Sequence, residues 1–94
     1  MQIRFTIQVL KEGRLYVAYS PELDLSSCGG SLAKAKQNLM EAVRLFLDEA
    51  GRMGTLDQVL AEAGYIKRKH TLSGPQFITT QRVSMPLSVA DAKA

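Results

Sequence analysis

The chain has 94 residues, enough for one domain and too few for two. A chain of this length buries only about 60–68% of the surface that it exposes when unfolded, so its core is small and a partner would stabilise it. The apolar fraction of 46% is typical of globular domains and argues against a disordered chain. The only cysteine is Cys28, which excludes a disulfide within the chain and fits a reducing compartment.

The formal net charge of +3 is unevenly distributed along the chain. Residues 1–64 carry eight acidic and seven basic side chains, whereas residues 65–94 carry five basic side chains and one acidic one. The basic character therefore belongs to the C-terminal third. The N-terminal stretch alternates polar with apolar residues and includes Arg4, which is typical of neither a signal peptide nor a membrane span. We expect a cytoplasmic protein that does not associate with membranes.

The first third of the sequence predicts three strands. Residues 3–9 alternate apolar and polar side chains with a period of two, and residues 15–19 do the same after a short turn at residues 11–13. These two runs predict an antiparallel hairpin. Pro21 lacks an N–H group and ends the second strand. Residues 25–28, between this corner and a pair of glycines, predict a third strand.

A long amphipathic helix is expected next. Ser31 is suited to be its N-cap, and Gly51 is expected to end it. Leucine, alanine, valine and phenylalanine recur between them at helical spacing and form one stripe, and Leu45 falls outside that stripe. A capping-box pattern that begins at Thr55 predicts a second, shorter helix, closed by Gly64.

The remaining residues predict extended structure. Residues 65–72 are consistent with a short strand, and residues 76–85 with a C-terminal strand that ends at a proline. The expected fold is therefore α+β, with an antiparallel sheet of three to four strands and one long helix packed across a face. A short helix and one or more C-terminal strands follow. Residues 1–86 are expected to form a single domain, and residues 87–94 a frayed tail.

Few side chains have the neighbours that catalysis requires. Glu22 and Asp24 are two positions apart, but no third acid or histidine stands near them to complete a hydrolytic or metal site. His70 has no orienting carboxylate in its surroundings, and Cys28 has no evident base. We expect a solvated corner at the acid pair, a surface histidine and a small buried cysteine. The sequence thus predicts no catalytic residue, no metal ligand and no cofactor.

A basic run formed by Lys67, Arg68 and Lys69, followed by His70, is the feature that points to nucleic acid. As a solvated strand it would place Lys67 and Lys69 on one side and Arg68 on the other, which divides the basic patch. The alternative is a nucleic-acid contact made mainly to phosphates with little sequence preference, because no aromatic side chains interleave with the run.

Residues 16–47, YVAYSPELDLSSCGGSLAKAKQNLMEAVRLFL, resemble the antitoxin family HicB. The resemblance begins with the proline corner YVAYSPEL and continues through the serines and glycines that lead to the helix cap Ser31. In the helix it is carried by Ala35, Asn38, Leu39, Ala42 and Phe46. It covers roughly residues 1–64 of the chain.

The resemblance implies a partial ribonuclease-H-like fold of three antiparallel strands, a helix across one face and a further strand, without the acidic cluster of a nuclease. It also implies a non-enzymatic protein that masks a small RNA-cleaving toxin of the HicA type. The partner-binding residues that it suggests lie at the proline corner: Tyr19, Pro21, Glu22 and Leu23. The alternative function is that of a small nucleic-acid-binding regulator that uses residues 67–70.

A homodimer or a higher even oligomer is also expected. The small core, the position of Leu45 outside the helical stripe and a C-terminal strand without an obvious internal partner favour self-association. Exposed strand edges are ready docking sites, and two-fold pairing is the commonest way in which soluble proteins associate.

Overall fold

The computed structural model describes residues 1–90 and confirms the expected α+β class. Within these residues, six strands form two small sheets, and a long and a short helix follow the fourth strand. In chain order the elements are β1 (Gln2–Ile3), β2 (Gln8–Glu12), β3 (Leu15–Ser20), β4 (Leu25–Gly29), α1 (Leu32–Met53), α2 (Leu56–Glu62), β5 (Ile66–Arg68) and β6 (Thr71–Ser73).

The first sheet is an antiparallel meander in the order β2–β3–β4, so the predicted hairpin and third strand are confirmed. The turn of the hairpin is shorter than expected. Glu12 already pairs with Leu15, and the turn consists of Gly13 and Arg14 instead of residues 11–13. Gly13 has a φ of +60°, which glycine adopts without the steric cost that a side chain would add.

The second sheet brings the N-terminus together with the segment after α2. Its central strand is β6, which runs parallel to β1 and antiparallel to β5. The expectation of one continuous strand over residues 3–9 is therefore wrong. The first strand is divided between the two sheets as β1 and β2, and residues 4–7 belong to no strand.

One side of the β2–β3–β4 sheet is covered by α1, which packs on β3 and β4. Ala18 on the sheet and Ala35 on the helix are both fully buried, because their small side chains let the helix approach the sheet closely. Leu39 is also fully buried, and Val43 continues the same stripe along the helix. Three further residues, Leu23, Leu60 and Tyr65, complete the buried core cluster.

The start of α1 is as expected, and its end is not. The Ser31 hydroxyl accepts a hydrogen bond from the backbone N–H of Lys34 at 3.1 Å, which confirms the N-cap. Gly51 does not end the helix, because the neighbouring Ala50 still belongs to the buried stripe that packing holds in place. The helix ends instead at Gly54, which has a φ of +74°.

The short helix α2 and its end before Gly64 are confirmed, but its predicted capping box does not form. The Thr55 hydroxyl donates to the carbonyl oxygen of Ala50 at 3.4 Å and makes no bond to the first turn of α2. Gln58 donates its side-chain amide to Glu62, one turn further along the helix. Thr55 thus connects α2 to the end of α1.

The segment after α2 differs from the expectation in two ways. Residues 65–72 hold the greater part of a hairpin, β5 and β6, in place of a single strand. Between Ser73 and residue 90, the end of the described chain, the structure contains no strand, so the prediction of a strand over residues 76–85 is wrong.

Residues 75–90, which we call the C-terminal arm, leave the sheets at Gly74 and follow an irregular path. The described chain measures 53 × 29 × 24 Å. Six large apolar side chains of the arm are at least half exposed: Phe77, Ile78, Val83, Met85, Leu87 and Val89. Of the tail predicted over residues 87–94, residues 91–94 lie outside the described part of the chain.

The close approach of α1 to β4 gives a testable prediction at Gly29. A Cβ atom at this position would lie 2.8 Å from the backbone nitrogen of Ala35 and 3.0 Å from the carbonyl carbon of Lys34. Backbone atoms of a helix cannot shift without moving the helix, so the added Cβ would push α1 away from β4. We therefore expect Gly29→Ala to lower the free energy of unfolding by about 1–3 kcal/mol. Urea unfolding measures this loss.

The neighbouring glycine is the matched control. A Cβ at Gly30 would meet no atom within 4 Å beyond its chain neighbours, and its φ is not positive. We therefore expect Gly30→Ala to be neutral or slightly stabilising. Equal losses in the two variants would contradict the close packing of α1 on the end of β4.

Candidate partner-binding surfaces

The corner after β3 is built around the carboxylate of Glu22. Its two oxygens accept hydrogen bonds from the backbone N–H of Thr6 at 2.9 and 3.0 Å, and one of them also accepts from the Thr6 hydroxyl at 2.7 Å. The hydroxyl of Ser20, a fully buried side chain, lies 3.5 Å from the other oxygen. Because hydrogen bonds to an ionised acceptor are stronger than neutral ones, Glu22 ties the N-terminal segment firmly to the corner.

The position of Glu22 explains why the first strand is divided. The backbone N–H groups of Gln2 and Arg4 bond to two carbonyl oxygens of the β5–β6 hairpin, at 2.8 and 3.0 Å. Thr6 is the next donor in this alternating series. Its N–H is taken by the Glu22 carboxylate and not by the backbone that follows β6. The parallel ladder between β1 and β6 ends at this side chain.

Tyr65 and Gly74 close the same corner. The Tyr65 hydroxyl donates a hydrogen bond to the carbonyl oxygen of Arg4 at 2.7 Å. Burial, and to a smaller extent the negative charge of Glu22, raise the pKa of Tyr65 to about 12. A Cβ at Gly74 would lie 3.1 Å from the Tyr65 ring and 3.2 Å from Cγ of Glu22, so glycine leaves the room that both side chains use. We call Thr6, Glu22, Tyr65 and Gly74 the corner clamp.

The four partner-binding residues predicted at this corner have different surroundings. Glu22 is engaged by Thr6, and Leu23, only 8% exposed, belongs to the core. Tyr19 and Pro21 are half-buried and offer part of their surface to solvent. The hydrogen bond that Tyr19 donates to Asp24, 2.9 Å long, raises the pKa of Tyr19. Asp24 is exposed, so the expectation of a solvated acid pair applies to Asp24 and is wrong for Glu22.

The side of the β2–β3–β4 sheet that faces away from α1 carries an apolar cluster, bordered by the polar residues Gln8, Glu12 and Ser26. The strand register places Leu10, Val17 and Cys28 across from one another on this side, with Leu15 and Tyr19 beside them on β3. We call these five residues the open sheet face. Leu10 is 56% exposed and Leu15 is 49% exposed. Apolar patches exposed on one side of an antiparallel sheet mark interaction sites.

Two features of the open sheet face were not anticipated. The expectation that Cys28 is buried is wrong: the side chain is exposed, because α1 packs on the other parity of β4. The alternating set Leu15, Val17 and Tyr19 also points away from the helix. The sequence did contain a signal for this orientation. The opposite parity of β3 holds the small residues Ala18 and Ser20, which allow a helix to pack closely.

The outward side of α1 carries a second apolar surface. Met40 is 55% exposed and Leu45 is 61% exposed, and both border an open groove of about 650 Å³. We call this surface the α1 groove. Its full lining is Ala33, Lys36, Gln37, Met40, Glu41, Arg44 and Leu45. Residues 41–62, which include the second half of α1 and all of α2, carry five acidic and two basic side chains, a net charge of −3.

The basic run lies on the β5–β6 hairpin, and all of its side chains are exposed. Lys67 and Arg68 are on β5 and therefore point to opposite sides. The expectation that Lys69 continues this strand is wrong. Lys69 lies in the turn, with a φ of +54°, and His70 follows it there.

Among residues 1–90, no group of three or more histidine, cysteine, aspartate or glutamate side chains could hold a metal ion. In the same part of the chain, no helix combines the length and the apolar character needed to cross a membrane. Comparisons with models of known protein families, with curated proteins and with solved structures found no match to this chain.

The corner clamp gives the second prediction. In Glu22→Gln one carboxylate oxygen becomes an NH₂ group, which cannot accept the hydrogen bonds of Thr6. We expect the free energy of unfolding to fall by about 1–3 kcal/mol in urea unfolding, the range for losing hydrogen bonds to a charged group. Removing the charge should also lower the pKa of Tyr65 from about 12, which ultraviolet titration of the tyrosines detects.

Asp24→Asn is the control for this variant. It removes a carboxylate of the same corner, but this one is exposed and accepts a hydrogen bond from Tyr19 alone. Asn also tolerates the positive φ that Asp24 adopts. We expect a change within about ±0.5 kcal/mol. A loss in Asp24→Asn as large as in Glu22→Gln would contradict the clamp.

Proposed function

We propose that this chain is a non-enzymatic, antitoxin-like protein that binds a HicA-type RNA-cleaving toxin and neutralises it by covering its RNA-binding surface. The sequence resemblance over roughly residues 1–64 suggests this partner. The architecture supports the proposal, because three antiparallel strands, a long helix across one face and a further strand are the arrangement that the resemblance implies. Both proteins would act in the cytoplasm.

The observation that carries the proposal is the pair of exposed apolar side chains in the α1 groove, which precedes a net acidic stretch of the chain, residues 48–62. A protein that binds RNA presents basic side chains to the phosphates, so its complement is an acidic surface. Met40 and Leu45 are exposed apolar side chains of the kind that anchor a protein interface at its centre. The charged side chains that line the groove, Lys36, Glu41 and Arg44, sum to +1. The attraction to a basic toxin would therefore come from the acidic side chains beyond the groove, in residues 48–62.

Neutralisation in this proposal is steric and electrostatic, and this chain contributes no chemical step. The 22 residues of α1 give a rigid surface about 33 Å long. Of the predicted corner residues, Tyr19 and Pro21 have exposed surface and are candidates for contacts at the margin. Glu22 and Leu23 support the corner from inside.

The third prediction tests the α1 groove with Met40→Lys. Lysine is a good helix former, so it keeps α1 intact while adding a positive charge to a surface that would face a basic toxin. The assay is titration with a HicA-type toxin, together with inhibition of its RNA cleavage. We expect the dissociation constant to rise at least about tenfold and inhibition to weaken in parallel.

Leu10→Lys is the matched control, because Leu10 is 56% exposed against 55% for Met40 but lies on the open sheet face. It should leave toxin binding unchanged. Toxin binding that survives Met40→Lys, or that is lost equally in both variants, would exclude the α1 groove as the toxin site. An absence of binding between the unaltered proteins would exclude the proposed function itself.

A second candidate function is nucleic-acid binding by the β5–β6 hairpin, favoured by the exposure of Lys67, Arg68 and Lys69 at one end of a hairpin. Three phosphate contacts give a log–log salt slope of about −3 per subunit for duplex DNA. A titration across salt concentrations should therefore show this slope in the unaltered chain and none in the triple alanine variant.

The same triple variant separates the two functions. Exposed substitutions usually change stability by less than about 0.5 kcal/mol, so the fold should be retained. If the chain acts as an antitoxin alone, toxin binding is retained too, and nucleic-acid binding is absent before and after the change. Sequence-selective binding that persists in the triple variant would exclude the hairpin as the nucleic-acid site.

A further inference from the structure

The C-terminal arm contains a regular strand pattern that has no place in the isolated chain. Val83, Met85, Leu87 and Val89 are apolar and alternate with arginine, serine, proline and serine. This period of two is typical of a strand that buries one side. All four apolar side chains are nevertheless between 52% and 84% exposed. The pattern therefore predicts a partner surface outside the arm's own subunit.

The corner clamp keeps the arm from its own sheet. If β6 continued, its next carbonyl oxygen would have to accept a hydrogen bond from the backbone N–H of Thr6. That N–H already donates to the Glu22 carboxylate. Gly74 is packed against the Glu22 and Tyr65 side chains, and Pro75, which follows it, has no N–H to give to a ladder. Pro75 instead lies beside Gly64, where it would be 3.0 Å from an added Cβ. The chain is thus turned outward at this point.

The body of the molecule offers a matching receptor. β2 is an edge strand of its sheet, so its outer backbone groups are free to pair with another strand. Leu10 of the same strand belongs to the open sheet face and is flanked on that side by Gln8 and Glu12, so an added strand would meet one apolar side chain at the centre of this edge. Addition of an extended segment to a sheet edge supplies backbone hydrogen bonds, and its alternate side chains supply specificity.

We propose that the arm of one copy of this chain adds as a strand to the β2 edge of a second copy, and that the exchange is reciprocal. Val83, Met85, Leu87 and Val89 then lie on the side of Leu10 and extend the partner's open sheet face. Pro86, which lies between them and has no N–H, has to turn its nitrogen away from the β2 edge, as prolines in edge strands do. A second copy is the occupant that the structure favours, because each chain carries both halves of the contact. Two identical contacts around a two-fold axis leave neither half unpaired.

This dimer uses a different surface from the α1 groove. The open sheet face and α1 lie on opposite sides of the β2–β3–β4 sheet, so a dimer joined by arms leaves both grooves accessible. The inference therefore does not depend on the proposed toxin. It requires only that one copy supplies a strand and the other an edge.

The first experiment compares two charge patterns on the arm of the full-length protein by light scattering. Val83→Asp/Met85→Asp places two charges on the apolar parity, and Ser84→Asp/Ser88→Asp places two on the other parity. We expect the unaltered chain and the serine variant to be dimers at micromolar concentration. The Val83/Met85 variant should be a monomer, or dissociate at least tenfold more readily, with the helical signal of its circular dichroism spectrum unchanged. A monomeric unaltered chain, or equal behaviour of the two variants, would overturn the proposal.

The second experiment locates the receptor by disulfide formation between differently substituted copies in a Cys28→Ser background. Met85→Cys in one copy should cross-link to Leu10→Cys in another under mild oxidation. It should not cross-link to Val9→Cys, because Val9 points to the opposite side of β2. Cross-linking to Val9 in preference to Leu10, or cross-linking within a single copy that carries both cysteines, would contradict the exchange.

Discussion

The hydrogen bonds between the Glu22 carboxylate and Thr6 are the interaction on which the rest of the fold depends. A single strand over residues 2–12 would otherwise need one continuous partner on each side. Here the first part pairs with β6, the second part pairs with β3, and a side chain satisfies the donor between them. Glu22 directly follows the proline that ends β3. The same corner therefore ends both strand β3 and the ladder between β1 and β6. The buried Tyr65 and the close-packed Gly74 are arranged around this one carboxylate.

That arrangement also decides which surfaces remain free. If the ladder between β1 and β6 continued past Thr6, residues after Gly74 would run beside β2 and cover its edge. The clamp prevents this, so the edge of β2 and the apolar residues of the arm are both left without a partner inside the subunit. On the side of the sheet that α1 covers, small residues of the sheet and of the helix make the close contact. Met40 and Leu45, on the outward side of the helix, face solvent. A core this small cannot bury every apolar stripe, and the unburied stripes are the surfaces at which we propose that partners bind.

Sequence reasoning succeeded where the deciding contacts are local. Ser31 caps α1 through the backbone N–H of a residue three positions away. Two alternating runs on either side of a short turn are enough to predict the β2–β3 hairpin. It failed where the deciding contact is remote. The division of the first strand depends on a side chain 16 positions further along, and the choice between Gly51 and Gly54 depends on how deeply Ala50 is buried. The orientation of β3 could not be read from alternation either, because both of its parities contain apolar residues. Side-chain volume determines the orientation of β3, because the small Ala18 lets the helix pack closely on its side of the strand and Leu15 would not.

The C-terminal arm shows how a correct pattern can lead to a wrong local assignment. Alternation in residues 76–85 predicts a strand, but a strand exists only when another backbone satisfies its N–H and C=O groups. Within one subunit that backbone is out of reach, because Glu22 and Pro75 turn the chain away before the alternation begins. Periodicity indicates which side of a segment is suited to burial. It does not indicate which molecule supplies the surface that covers that side. In this chain the strand pattern and the irregular path of the arm are reconciled if the missing backbone belongs to a second subunit.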